Sequence, residues 1–289
     1  MNVIFKNLYL TYGKHHALED VSFKLTEPRI YGLIGRNGAG KTSLLSILAS
    51  FREPSEGTVT VNGEIPFENA AIMQQIAFLY NKDYSDESGR IKDLLKGTAF
   101  YRPHFDVDYA KSLIKRFGLD ENKPIKKMSK GMQAAVNVTL GLATRTPITI
   151  FDEVYLGMDA PSREIFYEEL LIEQERHPRI FILSTHLVSE MEYLFDEVII
   201  LKEGKLLLHE EYDSLVSKGA TITGHETQVD AFVMAKEQLH EQSLGKTKSV
   251  MVYGALTKEE LEVASNLGLD VSPISLQELF VHLTKERNS

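Results

Sequence analysis

A lysine and a threonine side by side behind three glycines, in GRNGAGKT from Gly35 to Thr42, have the residue types and spacing to hold a triphosphate. Gly35, Gly38 and Gly40 can take backbone angles closed to other residues and let main-chain N–H groups approach an anion without side-chain obstruction. With Asn37, Ala39 and the first helical residues through Ser43, they are expected to form a cradle of partial positive charge. Lys41 is expected to reach the β- and γ-phosphates while the Thr42 hydroxyl ligates Mg²⁺. A second cluster, ITIFDE from Ile148 to Glu153, is an apolar strand that ends in two carboxylates. That arrangement suits Asp152 to hold Mg²⁺ while Glu153 faces an attacking water. The third candidate is His186, which follows the strand IFILST and so falls at the edge where α/β sheets bind ligands. Its ring would hydrogen-bond a γ-phosphate or the attacking water, or would simply terminate the strand.

The elements that must position these groups are legible in the pattern. Arg29 to Ile34 reads as a buried strand before the glycine loop, and Ser43 to Ala49 as the helix after it. Val3 to Tyr9 and Val21 to Leu25 alternate like strands of a small antiparallel layer, and Thr58 to Val61, ending at Asn62-Gly63, reads as one arm of a hairpin. Ile76 to Tyr80 is another short strand. Helical spacing follows from Ile91 to Gly118, broken at Arg102-Pro103, and a further helix capped by Ser129 runs through Leu142. Strands Ile148 to Phe151 and Arg179 to Ser184 then alternate with helices Pro161 to Glu175 and Leu187 to Phe195, before a hairpin from Glu197 to His209 that turns at Glu203-Gly204. Such alternation predicts a largely parallel sheet covered by helices. After Ser217 the rhythm restarts, with strands expected at Thr221 to Thr223, Ser249 to Tyr253 and Leu269 to Val271, helices between them, and a last helix from Ser275 to Thr284.

Composition sets the outer limits. A hydrophobic fraction of 43% with 25% charged residues over 289 residues is that of a water-soluble chain of one large and one small domain. The longest apolar runs are of strand length, far from the ~20 residues that span a bilayer, and Met1 to Leu10 lacks the features of a secretory leader. The expectation is a cytosolic protein, or one held at a membrane by something else. Zero cysteines exclude disulfides, thiol catalysis and thiolate metal sites. With 41 acidic against 32 basic residues, the net charge of −9 disfavours nucleic acid and anionic lipid as partners.

The order of these elements resembles the ATP-binding cassette ATPases, the nucleotide-binding subunits of membrane transporters, over roughly Val3 to Glu211. The family's signature segment, approximately LSGGQ upstream of the acidic strand, has its counterpart in MSKGMQ from Met128 to Gln133. The resemblance assigns Ser129 and Gly131 to a helix start that binds the γ-phosphate of ATP held by the opposite subunit, and Asp159, at the end of DEVYLGMD, to a loop bridging the subunits. It gives Tyr12, in LTYGKHHAL, the role of stacking on adenine. It places Asn81 where the family has a glutamine, with an amide oxygen to offer Mg²⁺ or water. The fold it implies is α/β: a P-loop NTPase with a mostly parallel sheet, an antiparallel β subdomain, a helical subdomain inserted at about 82–145, and a small α+β C-terminal domain. The division expected is a nucleotide-binding domain over 1–217 and a C-terminal domain over 218–289. The implied cofactors are ATP and Mg²⁺. The implied partners are an integral membrane permease and a second cassette, identical or a sister ATPase, which would put the chain at the cytoplasmic face of a bacterial cell membrane.

Several positions depart from the family pattern. Asn81 is one methylene shorter than glutamine, Lys130 and Met132 replace the second glycine and the glutamine of the signature, and Val154 replaces the usual proline. Lys41, Asp152, Glu153, Ser129 and His186 are all present, so a working ATPase is expected. SKGM together with YRPHFD from Tyr101 to Asp106 resembles the bacterial exporter-type subfamily linked to efflux of antimicrobial peptides, antibiotics or cytolysins, and SLQELFVHLT resembles the tail of drug-exporter ATPases. Two other readings stay open. One is a cassette acting apart from membranes, although ribosome-acting members usually carry two cassettes and chromosome-acting ones a long coiled coil. The other is a nucleotide sensor without meaningful turnover.

Overall fold

The computed structural model describes residues 1–82, 84 and 86–284. Asp83 and Ser85 of the expected helical insertion, and residues 285–289 of the expected C-terminal domain, lie outside the described residues. The chain forms two compact units, one of Met1–His186 with Tyr193–His209, the other of Leu187–Glu192 with the chain from Glu210 onward.

In the larger unit, β1 (Val3–Tyr12) and β2 (His15–Leu25) pair antiparallel, and β3 (Ile30–Ile34), buried throughout, leads into the glycine loop and α1 (Lys41–Leu48). β4 (Glu56–Val61) then pairs with β1, Val3 opposite Val61, giving a three-stranded sheet in the order β2-β1-β4. The hairpin expected around Asn62-Gly63 is therefore not formed. Beyond the turn Val61 meets Glu64 only in an isolated bridge, on the edge of β4 that faces away from β1.

After α2 (Ala70–Met73) and β5 (Ile76–Tyr80) come the inserted helices α3 (Ile91–Tyr101), α4 (Val107–Arg116) and α5 (Lys130–Thr144). Each boundary has a local cause. α3 stops where Pro103 disfavours helical angles at Arg102, while the side chains of Asp106 and Ser129 accept from the amides of Tyr109 and Met132 and so cap α4 and α5. β6 (Ile148–Asp152), α6 (Ala160–Arg176) and β7 (Ile180–Thr185) follow, with Asp159 capping α6 through the Ser162 amide.

α7 (Val188–Met191) groups with the smaller unit, and the chain returns to the larger one for β8 (Glu197–Lys202) and β9 (Lys205–Glu211). The main sheet runs β5-β6-β7-β3-β8-β9, with β5, β6, β7, β3 and β8 parallel. Near-continuous apolar runs such as ITIF and IFIL fit this, since a parallel sheet covered on both faces has no polar side. The strand ends after Ile34, Tyr80, Asp152 and Thr185 thus line up on one edge, where an α/β sheet binds its ligand.

After α7, the smaller unit resumes with α8 (Tyr212–Val216). It continues as β10 (Gly219–His225), α9 (Glu226–Val233), β11 (Glu237–Leu244), β12 (Thr247–Tyr253), α10 (Lys258–Asn266), β13 (Asp270–Pro273) and α11 (Leu276–Thr284). Its sheet is antiparallel in the order β11-β12-β10-β13, the split βαβ arrangement of a ferredoxin-like β-α-β-β-α-β unit. Ile222, Val229, Val250, Val252 and Ala264 form its core. α9 supplies the helix expected between the first two strands, and β11, which follows it, is a strand that the sequence pattern does not predict. EQLHEQSL carries no strand pattern because its side chains stand exposed on an edge, and its pairing with β12 across Gly245-Lys246 decides the conformation. Among the described residues no helix is long and apolar enough to cross a membrane.

Candidate nucleotide site

The glycine loop connects β3 to α1 through residues whose backbone geometry only partly matches expectation. Gly38 and Gly40 have φ of 83° and 100°, angles that favour glycine, and at Gly40 a Cβ would also lie 2.6 Å from the Ala17 carbonyl oxygen. Gly35 is different. Its φ is not positive, and glycine is required there because a Cβ would come within 2.8 Å of the Leu201 carbonyl oxygen. Asn37 and Gly38 stand exposed at the loop tip, while Ala39 turns inward, its amide donating to the Arg36 carbonyl. Gly40 takes the N-cap position of α1 and offers no side-chain cap, so the amides of Lys41, Thr42 and Ser43 have no partner within the helix.

The three chemical clusters of the sequence meet at this loop. The Lys41 ammonium, 6% exposed, donates to the Gly35 carbonyl at 2.8 Å and lies 3.4 Å from Glu153 Oε1. Thr42 Oγ1 donates to Asp152 Oδ2 at 2.7 Å across 110 residues of chain. His186 Nδ1 lies 3.0 Å from Glu153 Oε1, so one carboxylate oxygen is shared between the lysine and the histidine. Glu153 reaches both because it sits just past β6 with φ of 51°, a left-handed conformation that turns the chain out of the strand direction. Asp152 is buried, and its Oδ1 has no hydrogen-bond partner, as is also true of Ser184 Oγ. Ser184 is the residue opposite Asp152 in the β6–β7 register. A buried carboxylate oxygen without a partner, on the same carboxylate that meets the Thr42 hydroxyl, suits a hard cation that prefers oxygen ligands, and the site fits Mg²⁺.

Tyr12 lies on the wall of a cleft of about 440 Å³ that also includes Thr42 and Ser43. Its hydroxyl is 3.5 Å from Ser43 Oγ, and the Arg52 guanidinium sits over its ring at 4.6 Å. Phe51, Phe78 and Tyr80 form the other wall, with ring centroids 5.3 to 6.1 Å apart. This aromatic pocket continuous with the phosphate loop has the shape and chemistry for a stacked base. Tyr12 is singled out only through the family resemblance, and Arg52 and the second wall, whose members come from separate elements, carry no motif at all.

Asn81 follows Tyr80, the residue opposite Asp152 in the β5–β6 register, and is exposed at the same sheet edge. Ser129 and Gly131 lie at the start of α5. The Ser129 hydroxyl accepts from the Met132 amide, and a Cβ on Gly131 would stand 2.5 Å from the Gly157 carbonyl oxygen, so a packing demand accompanies any ligand role. Asp159 is engaged locally as the cap of α6, and Ser162 holds its carboxyl below the ordinary aspartate range. Two further residues tie the acidic strand end to β7: the Tyr155 hydroxyl is 2.6 Å from Thr185 Oγ1, next to His186, in a contact buried from solvent.

Comparison with known proteins gives the family. Residues 18–155 match the ABC transporter family. An uncharacterized ABC transporter ATP-binding protein of Methanocaldococcus jannaschii is 31% identical over 75% of this chain and 80% of its own length. The bacitracin transport ATP-binding protein BcrA of Bacillus licheniformis is 28% identical over 98% of both chains. A solved structure of an ATP-binding subunit of an ABC transporter superposes with a TM-score of 0.66 at 25% identity, covering 74% of this chain and 92% of that one.

Proposed function

Because this chain belongs to the ABC transporter family, as an ATP-binding, ATP-hydrolysing subunit, we propose that it pairs with a second cassette on binding ATP and drives a separately encoded membrane permease. The observation that carries the reading is the convergence of Lys41, Glu153 and His186 on one point beside the Thr42–Asp152 contact. In this reading Tyr12 stacks on adenine, and the loop from Gly35 to Ser43, with Asn37 and Ala39 among its amides, cradles the phosphates. Lys41 neutralises the β- and γ-phosphates. Glu153 orients the attacking water and accepts its proton, and His186, bonded to the same oxygen, fixes that carboxylate and the γ-phosphate side of the site. Thr42, Asp152 and Asn81 would hold Mg²⁺, which when bound supplies charge neutralisation at the phosphates.

Ser129 and Gly131 of the partner complete the γ-phosphate site and Asp159 bridges the subunits, so ATP favours the closed pair through contacts that the open one lacks. Residues 1–217 act as the nucleotide-binding domain. The inserted helices meet the permease, a role supported by the groove of about 490 Å³ along α3 beside the exposed Phe100 and Tyr101. The names of relatives that include bacitracin transport and doxorubicin resistance proteins support export of a peptide, antibiotic or lipid-like compound, from the cytoplasmic face of the membrane. The test is Glu153→Gln, with phosphate release and particle mass measured in ATP. Turnover should be lost while an ATP-bound dimer accumulates, and a monomer with undiminished hydrolysis would overturn the proposal.

A further inference from the structure

One side chain in the middle of α5 grips both ends of the segment that carries Asn81. The Asn137 Nδ2 donates to the Tyr80 carbonyl at 3.1 Å, and its Oδ1 accepts from the Tyr84 hydroxyl. Asn137 is 5% exposed and Tyr84 4%, so both bonds are shielded from water, where a polar group left unmade costs more than a surface one. The residues joined are 57 and 53 positions apart in sequence. Burial raises the Tyr84 phenol to about 12, which keeps its proton available for donation across the whole range in which the protein works. Tyr80 is the last residue of β5 and faces Asp152 across the sheet, so its carbonyl marks where the chain leaves the strand for Asn81. Tyr84 packs in the core of the helical insertion with Ile91, Leu95, Val136 and Leu140. The exposed Asn81 thus has an anchored residue on either side, and both anchors end on a single amide.

We propose that Asn137 is a positioning residue for the known reaction, one that ties the Asn81 loop to α5 so that Asn81 and the Ser129 turn keep a fixed relation. Asn137 lies about 12 Å along the α5 axis from Ser129, at ~1.5 Å per residue, and a helix transmits displacement over that length as a rigid body. Any shift of α5 toward or away from a nucleotide is then passed to Asn81. The shorter reach of asparagine at position 81 makes the placing of its backbone more important, since the side chain has one rotatable bond fewer to correct an error. This inference rests on the proposed reading in which Asn81 acts on Mg²⁺ or water.

The experiment is a double-mutant cycle on the full-length chain, read as kcat and KM for ATP hydrolysis with nucleotide affinity measured separately. Asn81→Ala and Asn137→Ala are each expected to lower kcat about tenfold with KM and affinity within about twofold, and the double variant to be no slower than Asn81→Ala alone. Tyr84→Phe, which removes one hydroxyl from a ring that stays packed, should lower kcat about threefold with the same lack of additivity, and carries the test if Asn137→Ala does not fold. A structural weakening alone would not produce that dependence on Asn81. If Asn81→Ala is slow but the losses multiply, or Tyr84→Phe runs at the wild-type rate, the positioning role is overturned and the Asn81 reading survives. If Asn81→Ala itself hydrolyses at the wild-type rate, that reading fails and takes the inference with it.

Discussion

The two compact units treat polar groups in opposite ways. The larger one buries Lys41, Asp152, Glu173, Arg179 and Ser184, and leaves oxygens of Asp152 and Ser184 without partners. The smaller one keeps ion pairs such as Lys218–Glu210, Lys236–Glu260 and Lys248–Asp230 toward its surface, and among the described residues its buried polar side chains reduce to Thr284. Burying a charged group opposes folding unless it is paired or binds something, so such groups persist where binding or catalysis needs them. Part of the larger unit's set is structural. Glu173 bonds Arg145 and Arg179, and Arg179 also donates to the Leu142 carbonyl, which locks the end of α5 to α6 and the start of β7. The set at the strand ends instead joins Lys41, Glu153 and His186 beside the Thr42–Asp152 contact, at the sheet edge that faces the glycine loop. The smaller unit follows the ordinary rule of an apolar core and a charged exterior.

The largest effect is expected at Lys41. Lys41→Ala should lower phosphate release by at least about 10²-fold, as expected when a preorganised charge at a phosphoryl site is removed, and should abolish tight nucleotide binding. A variant that still hydrolyses ATP would move the chemistry elsewhere. Gly131→Ala is next. Its Cβ would meet the Gly157 carbonyl, so a loss of about 1–3 kcal/mol in stability by urea unfolding is expected, and the proposed reading adds slowed turnover, since it gives the same turn a ligand role.

Val252→Ala, at a fully buried position of the smaller unit, should cost about 1–2 kcal/mol there, seen as faster amide exchange in β10, β12 and β13, with kcat unchanged. A matching loss of turnover would mean that the smaller unit shares in catalysis. The smallest effect is expected at Lys248, whose ammonium titrates above the ordinary lysine range because Asp230 first and Glu241 second hold it. A raised folded value means that its contribution is complete below the unfolded value of about 10.4 and is lost as pH rises through the folded one. Lys248→Met should lower the unfolding midpoint only slightly at neutral pH, with the loss shrinking in high salt, where pairs at the surface are screened.

Much of the larger unit is legible in the chain because its signals are local. The glycine loop, the acidic strand end and the cap at Ser129 depend on neighbours a few residues away, and each lies where its pattern places it. Segments whose conformation is set by a distant partner are not legible in this way. Thr58 to Val61 reads as a hairpin arm, but its partner is β1, more than fifty residues earlier in the chain, and Glu237–Leu244 has too few apolar residues to mark a strand until β12 pairs with it. The same holds in the site: Arg52 over Tyr12, Thr185 against Tyr155 and Asn137 between Tyr80 and Tyr84 have no spacing that announces them.

The sequence by itself determined the kind of chemistry, because phosphate binding by backbone amides needs only a short run of residues with permitted angles and a lysine and hydroxyl at the end of it. Tertiary structure alone decided which carboxylate oxygen Lys41 and His186 share, which atoms of Asp152 and Ser184 stay without partners, and how the Asn81 loop is held. Those relations arise from the register of parallel strands that are far apart in the chain, and a strand's own residues do not encode the neighbour it will have.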